Sequence, residues 1–230
     1  MSARPLSGQV VLITGASGGL GGAMAEACAL AGAQVVASGR HLRRLEALYQ
    51  RVQVAGGQIQ LYPLDLEGAQ PADLQQLMDD IHHEYGRLDL LIQCAADFPG
   101  LTPLAHADPA AVARAIHVNL TARIWLVQAA LPALRASAGS VVLSVDRAER
   151  GQQAYWGGYG LAQPAQHALA QMLELELGND MVGVQLLAPP PMPTALRARA
   201  YGHEVEAIQR PHQVVASWLA GRYGMAQMPS

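Results

Sequence analysis

The chain has 230 residues, 51% of them hydrophobic, and a formal net charge of −3. That length suits one α/β domain over residues 1–230 with a substantial core, and the slightly acidic balance excludes the basic face that a nucleic-acid partner would need. No apolar run approaches the length of a membrane span, and the first eight residues lack the apolar centre of a signal peptide, so a cytoplasmic protein is expected. Cys28 and Cys94 read as buried small hydrophobes, and the eight histidines show no metal-ligand spacing.

Short apolar runs alternate with longer helical patterns. They predict strands near 9–14, 34–38, 58–62, 88–94, 139–145 and 182–187, and helices near 19–31, 41–55, 71–85, 108–136 and 157–178. That alternation implies a single Rossmann-type α/β domain, a doubly wound parallel sheet with helices on both faces. The first unit is the most informative. Residues 10–13 form a strand buried on both faces, Gly15 permits a tight turn, Gly19 lets a phosphate approach the backbone, and Gly21 lets the next helix pack closely. Free N–H groups from Ala16, Ser17 and Leu20 at the helix start would face an anion.

The second strand ends in Ser-Gly-Arg-His with no acidic residue for the adenosine ribose, and Arg40, with Arg43 or Arg44, suits a 2′-phosphate. NADP(H) is therefore expected over NAD(H). Further along, Asp108 and Pro109 form a helix start as N-cap and first helical residue. Pro132 and Pro164 fall inside helical patterns, where each would kink a helix or mark its boundary. A proline-rich loop spans 188–194, and after it only one helical segment is expected, near 211–220.

The turn Thr-Gly-x-x-x-Gly-x-Gly resembles that of the short-chain dehydrogenases/reductases, and the resemblance runs over almost the whole chain. Asp65-Leu66 resembles the family's acidic residue beside the adenine. Gly-Arg-Leu-Asp-Leu-Leu-Ile at 86–92 resembles the strand entering its Asn-Asn-Ala-Gly element, Asn119 matches its mid-helix asparagine, and Tyr159 sits at its catalytic tyrosine. The Trp-Gly-x-Tyr approach to that tyrosine is similar to a bacterial branch. The resemblance implies an oxidoreductase acting on a small-molecule carbonyl or alcohol. It implies cofactor contacts at Gly15, Ser17, Gly19, Leu20, Gly21, Arg40, Asp65, Leu66, Ala95 and Thr194, and catalytic positions at Tyr159, Asn119, Asp146 and Gln163.

The chain departs from the family at several of these places. The lysine four residues after the tyrosine, which binds ribose and lowers the tyrosine pKa, is Gln163, and the chain contains no lysine at all. The family's serine position is Asp146, with Ser144 out of phase by two residues, roughly 6–7 Å along a strand end. Asn-Asn-Ala-Gly has become Gln93-Cys94-Ala95-Ala96, and Pro190 replaces a glycine beside the nicotinamide. The family's last strand is missing or vestigial in 223–230, which implies a shortened C-terminal region and lid.

Three functions follow from these residues. The first is an NADP(H)-dependent oxidoreductase, reducing carbonyls with a modified site. The second is a catalytically degraded NADP(H)-binding member acting as sensor, scaffold or partner subunit. The third is a lyase or isomerase using Asp146 and Tyr159 as acid and base. Asn119 also suits a bridge to a neighbouring strand, Tyr159 a packing role beside Tyr155 and Trp156, and Gln163 a hydrogen bond to ribose. A homodimer or homotetramer through helices 108–136 and 157–178 is expected, because Leu120, Ile124, Leu126, Leu169, Met172 and Leu173 exceed what one sheet face covers.

Overall fold

The computed structural model describes residues 4–202 and 208–223. Among these residues six parallel strands form one sheet in the order β3-β2-β1-β4-β5-β6, where β1 is Val10–Thr14, β2 Gln34–Gly39, β3 Gln58–Pro63, β4 Leu90–Gln93, β5 Ser140–Ser144 and β6 Gly183–Leu187. The order reverses between β1 and β4, and that is the switch point where a doubly wound sheet opens a crevice at its carboxyl edge. All five β1 residues are buried, and they divide by period two between the layers. Val10 and Leu12 pack with one core, Val11 and Ile13 with the other. The doubly wound sheet with helices on both faces is as the alternating pattern implied.

Helices α1 (Gly19–Leu30), α2 (Leu42–Val54) and α3 (Pro71–Tyr85) fall where their patterns placed them. Asp108 caps α4 (Pro109–Ile116), its carboxylate accepting from the N–H groups of Ala110 (3.1 Å) and Ala111 (3.3 Å), an arrangement worth about 1 kcal/mol.

The expected continuous helix over 108–136 is corrected: a π-helical turn at His117–Thr121 separates α4 from α5 (Ala122–Ser137). The cause is local. The Asn119 side chain donates to the Ala115 carbonyl at 2.7 Å, competing with the backbone ladder at i−4. Pro132 and Pro164 lie inside α5 and inside α6 (Gly157–Leu177), and neither marks a boundary. The strand expected over 88–94 is trimmed to four residues.

A second correction concerns the C-terminal region. Among the described residues two helices follow the proline loop: α7 (Ala195–Tyr201), which the sequence reading omitted, and α8 (Pro211–Tyr223). Thr194 starts α7, its hydroxyl accepting from the Arg197 N–H at 3.2 Å. Tyr223 ends α8, and the rest of the segment read as a vestigial strand lies outside the described residues. Among the described residues, no helix is long and apolar enough to cross a membrane.

Candidate active site

A cavity of about 780 Å³ opens along the carboxyl ends of the strands, and every site residue expected from the sequence lines it, cofactor and catalytic positions alike. At one end lies the glycine turn. Gly15 has φ +69°, and a Cβ there would stand 2.5 Å from the Ala95 backbone nitrogen; one on Gly21 would stand 2.3 Å from the Gly15 carbonyl oxygen. The turn thus packs backbone against backbone, which only glycine allows. No side chain caps the first turn of α1, and no acidic residue stands in it, so its N–H groups are open to an anion.

Beyond the turn, Arg40 and Arg44 line the cavity and Arg43 does not. Arg40 lies 3.7 Å from Glu67, both partly exposed. Such a pair contributes little, which leaves the guanidinium available to a stronger anion. The Asp65 carboxylate accepts from the Glu67 N–H at 3.1 Å, and Leu66 is buried.

At the other end stands Tyr159. Its hydroxyl donates to Asp146 Oδ2 at 3.4 Å, while Phe98 lies 5.2 Å from its ring and stacks on Trp156 at 4.8 Å. Leu196 and Ala200 of α7 close over these rings, and Arg199 donates to the Phe98 carbonyl at 2.6 Å. The helix that the sequence reading omitted is therefore the wall over this end of the cavity.

Asp146 is held from every side. Its Oδ1 accepts from the Arg147 N–H at 2.7 Å, its Oδ2 from Arg150 Nε at 2.9 Å, and its own N–H donates to Gln163 Oε1 at 2.8 Å. Its carbonyl meets His167 Nε2 at 3.0 Å. Arg150 in turn lies 4.1 Å over the Trp156 ring. Burial pushes the Tyr159 phenol well above the usual tyrosine range, and the Asp146 charge pushes it further; Arg123 and Arg150 pull the other way.

The remaining expected residues fall into structural bonds. Both ends of the Gln163 amide are engaged, with Oε1 on the Asp146 N–H and Nε2 on the Tyr159 carbonyl at 3.2 Å. It orients the Asp146–Tyr159 pair instead of reaching toward a ribose. Asn119 is fully buried and bridges to the Asp97 backbone, accepting at 3.2 Å and donating at 2.6 Å. Ser144 lines the cavity, as does Cys94, whose thiol burial pushes up to about 12.

One site residue escaped the sequence reading. Arg123, 2% exposed, lines the cavity and donates to the carbonyls of Ser144 (2.7 Å) and Ala95 and to Gln166 Oε1. The signal was present: an arginine four residues after Asn119, on the same helix face, inside an apolar stripe.

The comparisons agree with this geometry. The family model for short chain dehydrogenases matches residues 9–204. The Escherichia coli oxidoreductase YciK is 30% identical over 221 residues, which is 94% of this chain and 87% of that protein. A short-chain dehydrogenase of Shigella flexneri complexed with NADP is similar at TM-score 0.89 and 28% identity, over 95% of this chain and 92% of that one. One from E. coli CFT073 complexed with NADPH gives TM-score 0.89 and 30% identity, over 96% and 92%. With the family's model spanning the sheet from first strand to last and its solved members sharing the fold along nearly the full chain, this protein belongs to the short-chain dehydrogenase family of oxidoreductases.

Proposed function

We propose that the protein is an NADP(H)-dependent carbonyl reductase. The observation that carries this reading is the placement of a protonated phenol, Tyr159, at one end of the cavity whose other end holds the glycine turn and Arg40. The residues present fit a dinucleotide phosphate: the uncapped first turn of α1 would take the pyrophosphate, and Arg40 with Arg44 the 2′-phosphate. Such a cofactor supplies hydride to a carbonyl carbon. The chain's own contribution is a proton from Tyr159 Oη to the carbonyl oxygen, with the Phe98–Trp156 wall packing an apolar or planar substrate body and excluding water. The NADP and NADPH complexes of the two relatives support the cofactor assignment.

Fluorescence titration of the purified protein with NADPH and NADH tests the cofactor half. NADPH should bind at least about tenfold tighter, a difference that one charge-assisted pair accounts for. Arg40→Ala should remove most of that preference and leave NADH binding unchanged. Equal affinity for the two, or an indifferent Arg40→Ala variant, sinks the assignment. A panel of ketones and quinones monitored for NADPH oxidation tests the chemistry.

One observation favours the second reading, a nucleotide-binding protein without turnover: the Tyr159 proton is directed at Asp146. NADPH binding with no oxidation across the panel would establish it.

A homodimer or homotetramer through α5 and α6 remains part of the proposal. Leu126 and Leu173 are buried within the chain, whereas Leu120, Ile124 and Leu169 are half-buried and Leu161 and Met172 are more than half exposed. That is an apolar face wanting cover. Light scattering at micromolar concentration should give the mass of two or four chains, and a monomer mass refutes it.

A further inference from the structure

Arg123 is a cation placed where a cation is hard to keep. It is nearly fully buried, and its three hydrogen-bond partners (the Ser144 and Ala95 carbonyls and the Gln166 amide oxygen) are all neutral. Its Nε is buried with no partner among the described residues. Among the described residues it forms no ion pair, although the other arginines around the cavity include Arg40, bridged to Glu67, and Arg150, bridged to Asp146. A buried charge without a counter-charge is destabilising. Burial pulls Arg123 down to about 10, which still leaves it charged at neutral pH. Arg123 lines the same cavity as Cys94 and Tyr159, and the Ser144 carbonyl that it holds is two residues from Asp146, the acceptor of the Tyr159 hydroxyl; the Cys94 thiol and the Tyr159 phenol are the groups around it that can become anions. The thiol stays protonated through the neutral range. Tyr159 is the group that the reaction would ionise.

We propose that Arg123 is a positioning residue that acts through Tyr159, supplying from the lining of the shared cavity the positive charge that stabilises the phenolate. This rests on the carbonyl-reductase reading. When Tyr159 gives its proton to the reduced oxygen, the Oη–H bond breaks, its electron pair stays on Oη, and the proton is regained from solvent through the cavity. Three charges face the phenolate in that interval. Asp146 opposes it, Arg150 supports it but is spent on Asp146, and Arg123 supports it unopposed. The cation thus arrives from α5, whereas position 163 on α6 carries a neutral amide whose two ends are already engaged.

The experiment places a fluorinated tyrosine at 159, whose more acidic phenol brings its titration into range, and reads ionisation by absorbance in the full-length protein. Arg123→Gln should move the midpoint up by about one pH unit or more, whereas Arg123→Lys should move it by less than half of that. In the natural-tyrosine background, Arg123→Gln should lower kcat for ketone reduction about tenfold with KM for NADPH unchanged. An unmoved midpoint in Arg123→Gln overturns the proposal whatever the turnover. A moved midpoint in a protein that turns over no carbonyl upholds the charge relation and overturns the reductase reading instead. Should the glutamine variant not fold, the NMR resonance of Arg123 Nε in the otherwise unmodified chain must follow the fluorotyrosine titration, and a resonance that ignores it overturns the proposal.

Discussion

Gly15→Ala is expected to abolish dinucleotide binding and to be the most damaging single methyl group added anywhere in the glycine turn. Two independent effects act there. The backbone sits at φ +69°, where an L side chain is strained, and the new Cβ would meet the Ala95 nitrogen at 2.5 Å and its Cα at 2.6 Å. Neither contact is the tip of a flexible side chain, so β1 and the segment after β4 must separate, and the cavity opens at the switch point of the sheet. Strain and overpacking together are worth about 2–5 kcal/mol, which for a chain of this size is roughly 5–15 °C in Tm. Gly19→Ala separates the two roles of the turn: its Cβ would touch only the Thr194 methyl at 3.0 Å and the Pro211 ring, both side-chain atoms, while occupying the cavity. It should melt within a few degrees of the unmodified protein yet bind NADPH at least about tenfold more weakly. Gly68→Ala, with nothing within 4 Å, serves as the silent control. Calorimetry and NADPH titration of the three variants check the series. A Gly15→Ala protein with normal melting and normal NADPH affinity would show that the backbone packing has been misread.

What was legible in the sequence was whatever local chemistry dictates. Glycines at fixed spacing after an apolar strand specify a turn because at Gly15 and Gly21 no other residue fits it, and Asp108-Pro109 specifies a helix start through its own cap chemistry. The doubly wound parallel sheet followed from the alternation of elements. What was not legible depends on distant partners. The Gln163 amide reads as a lost lysine until the Asp146 N–H and the Tyr159 carbonyl are seen to occupy both of its ends. Helix α7 was hidden behind four prolines, although Thr194 caps it in the ordinary way. The π-helical turn arises because one asparagine side chain competes with its own helix for the Ala115 carbonyl, an outcome that periodicity does not encode. Arg123 was the largest omission. The three acceptors converging on it from β5, the segment after β4 and α6 show that it points inward.

The second large effect concerns direction. Carbonyl reduction uses the protonated phenol, and burial together with Asp146 keeps Tyr159 protonated across the neutral and mildly alkaline range. The reverse oxidation needs the phenolate, which for an ordinary tyrosine with pKa ~10 is about one part in a thousand at pH 7 and is scarcer here. Reduction should therefore be flat with pH through neutrality, while alcohol oxidation climbs about tenfold per pH unit with no plateau below roughly pH 10. Tyr159→Phe should cut the reduction kcat by about 10²–10⁴ with NADPH affinity unchanged. Asp146→Ser removes the carboxylate that opposes ionisation, so it should raise oxidation more than reduction. Gln163→Lys alone removes the acceptor of the Asp146 N–H, since an ammonium only donates, at about 1–3 kcal/mol of stability. Its benefit should emerge only beside Asp146→Ser, a non-additivity expected of two sites sharing one phenol. Full reduction rates in Tyr159→Phe would remove the phenol from the chemistry. If the double variant binds NADPH and still turns over no ketone, the proline loop is the next element to replace, beginning with Pro190→Gly. Pro189, Pro190 and Pro191 line the cavity, and with φ fixed and no N–H available at position 190, a displacement of about an ångström there is enough to defeat hydride transfer with every proton donor in place.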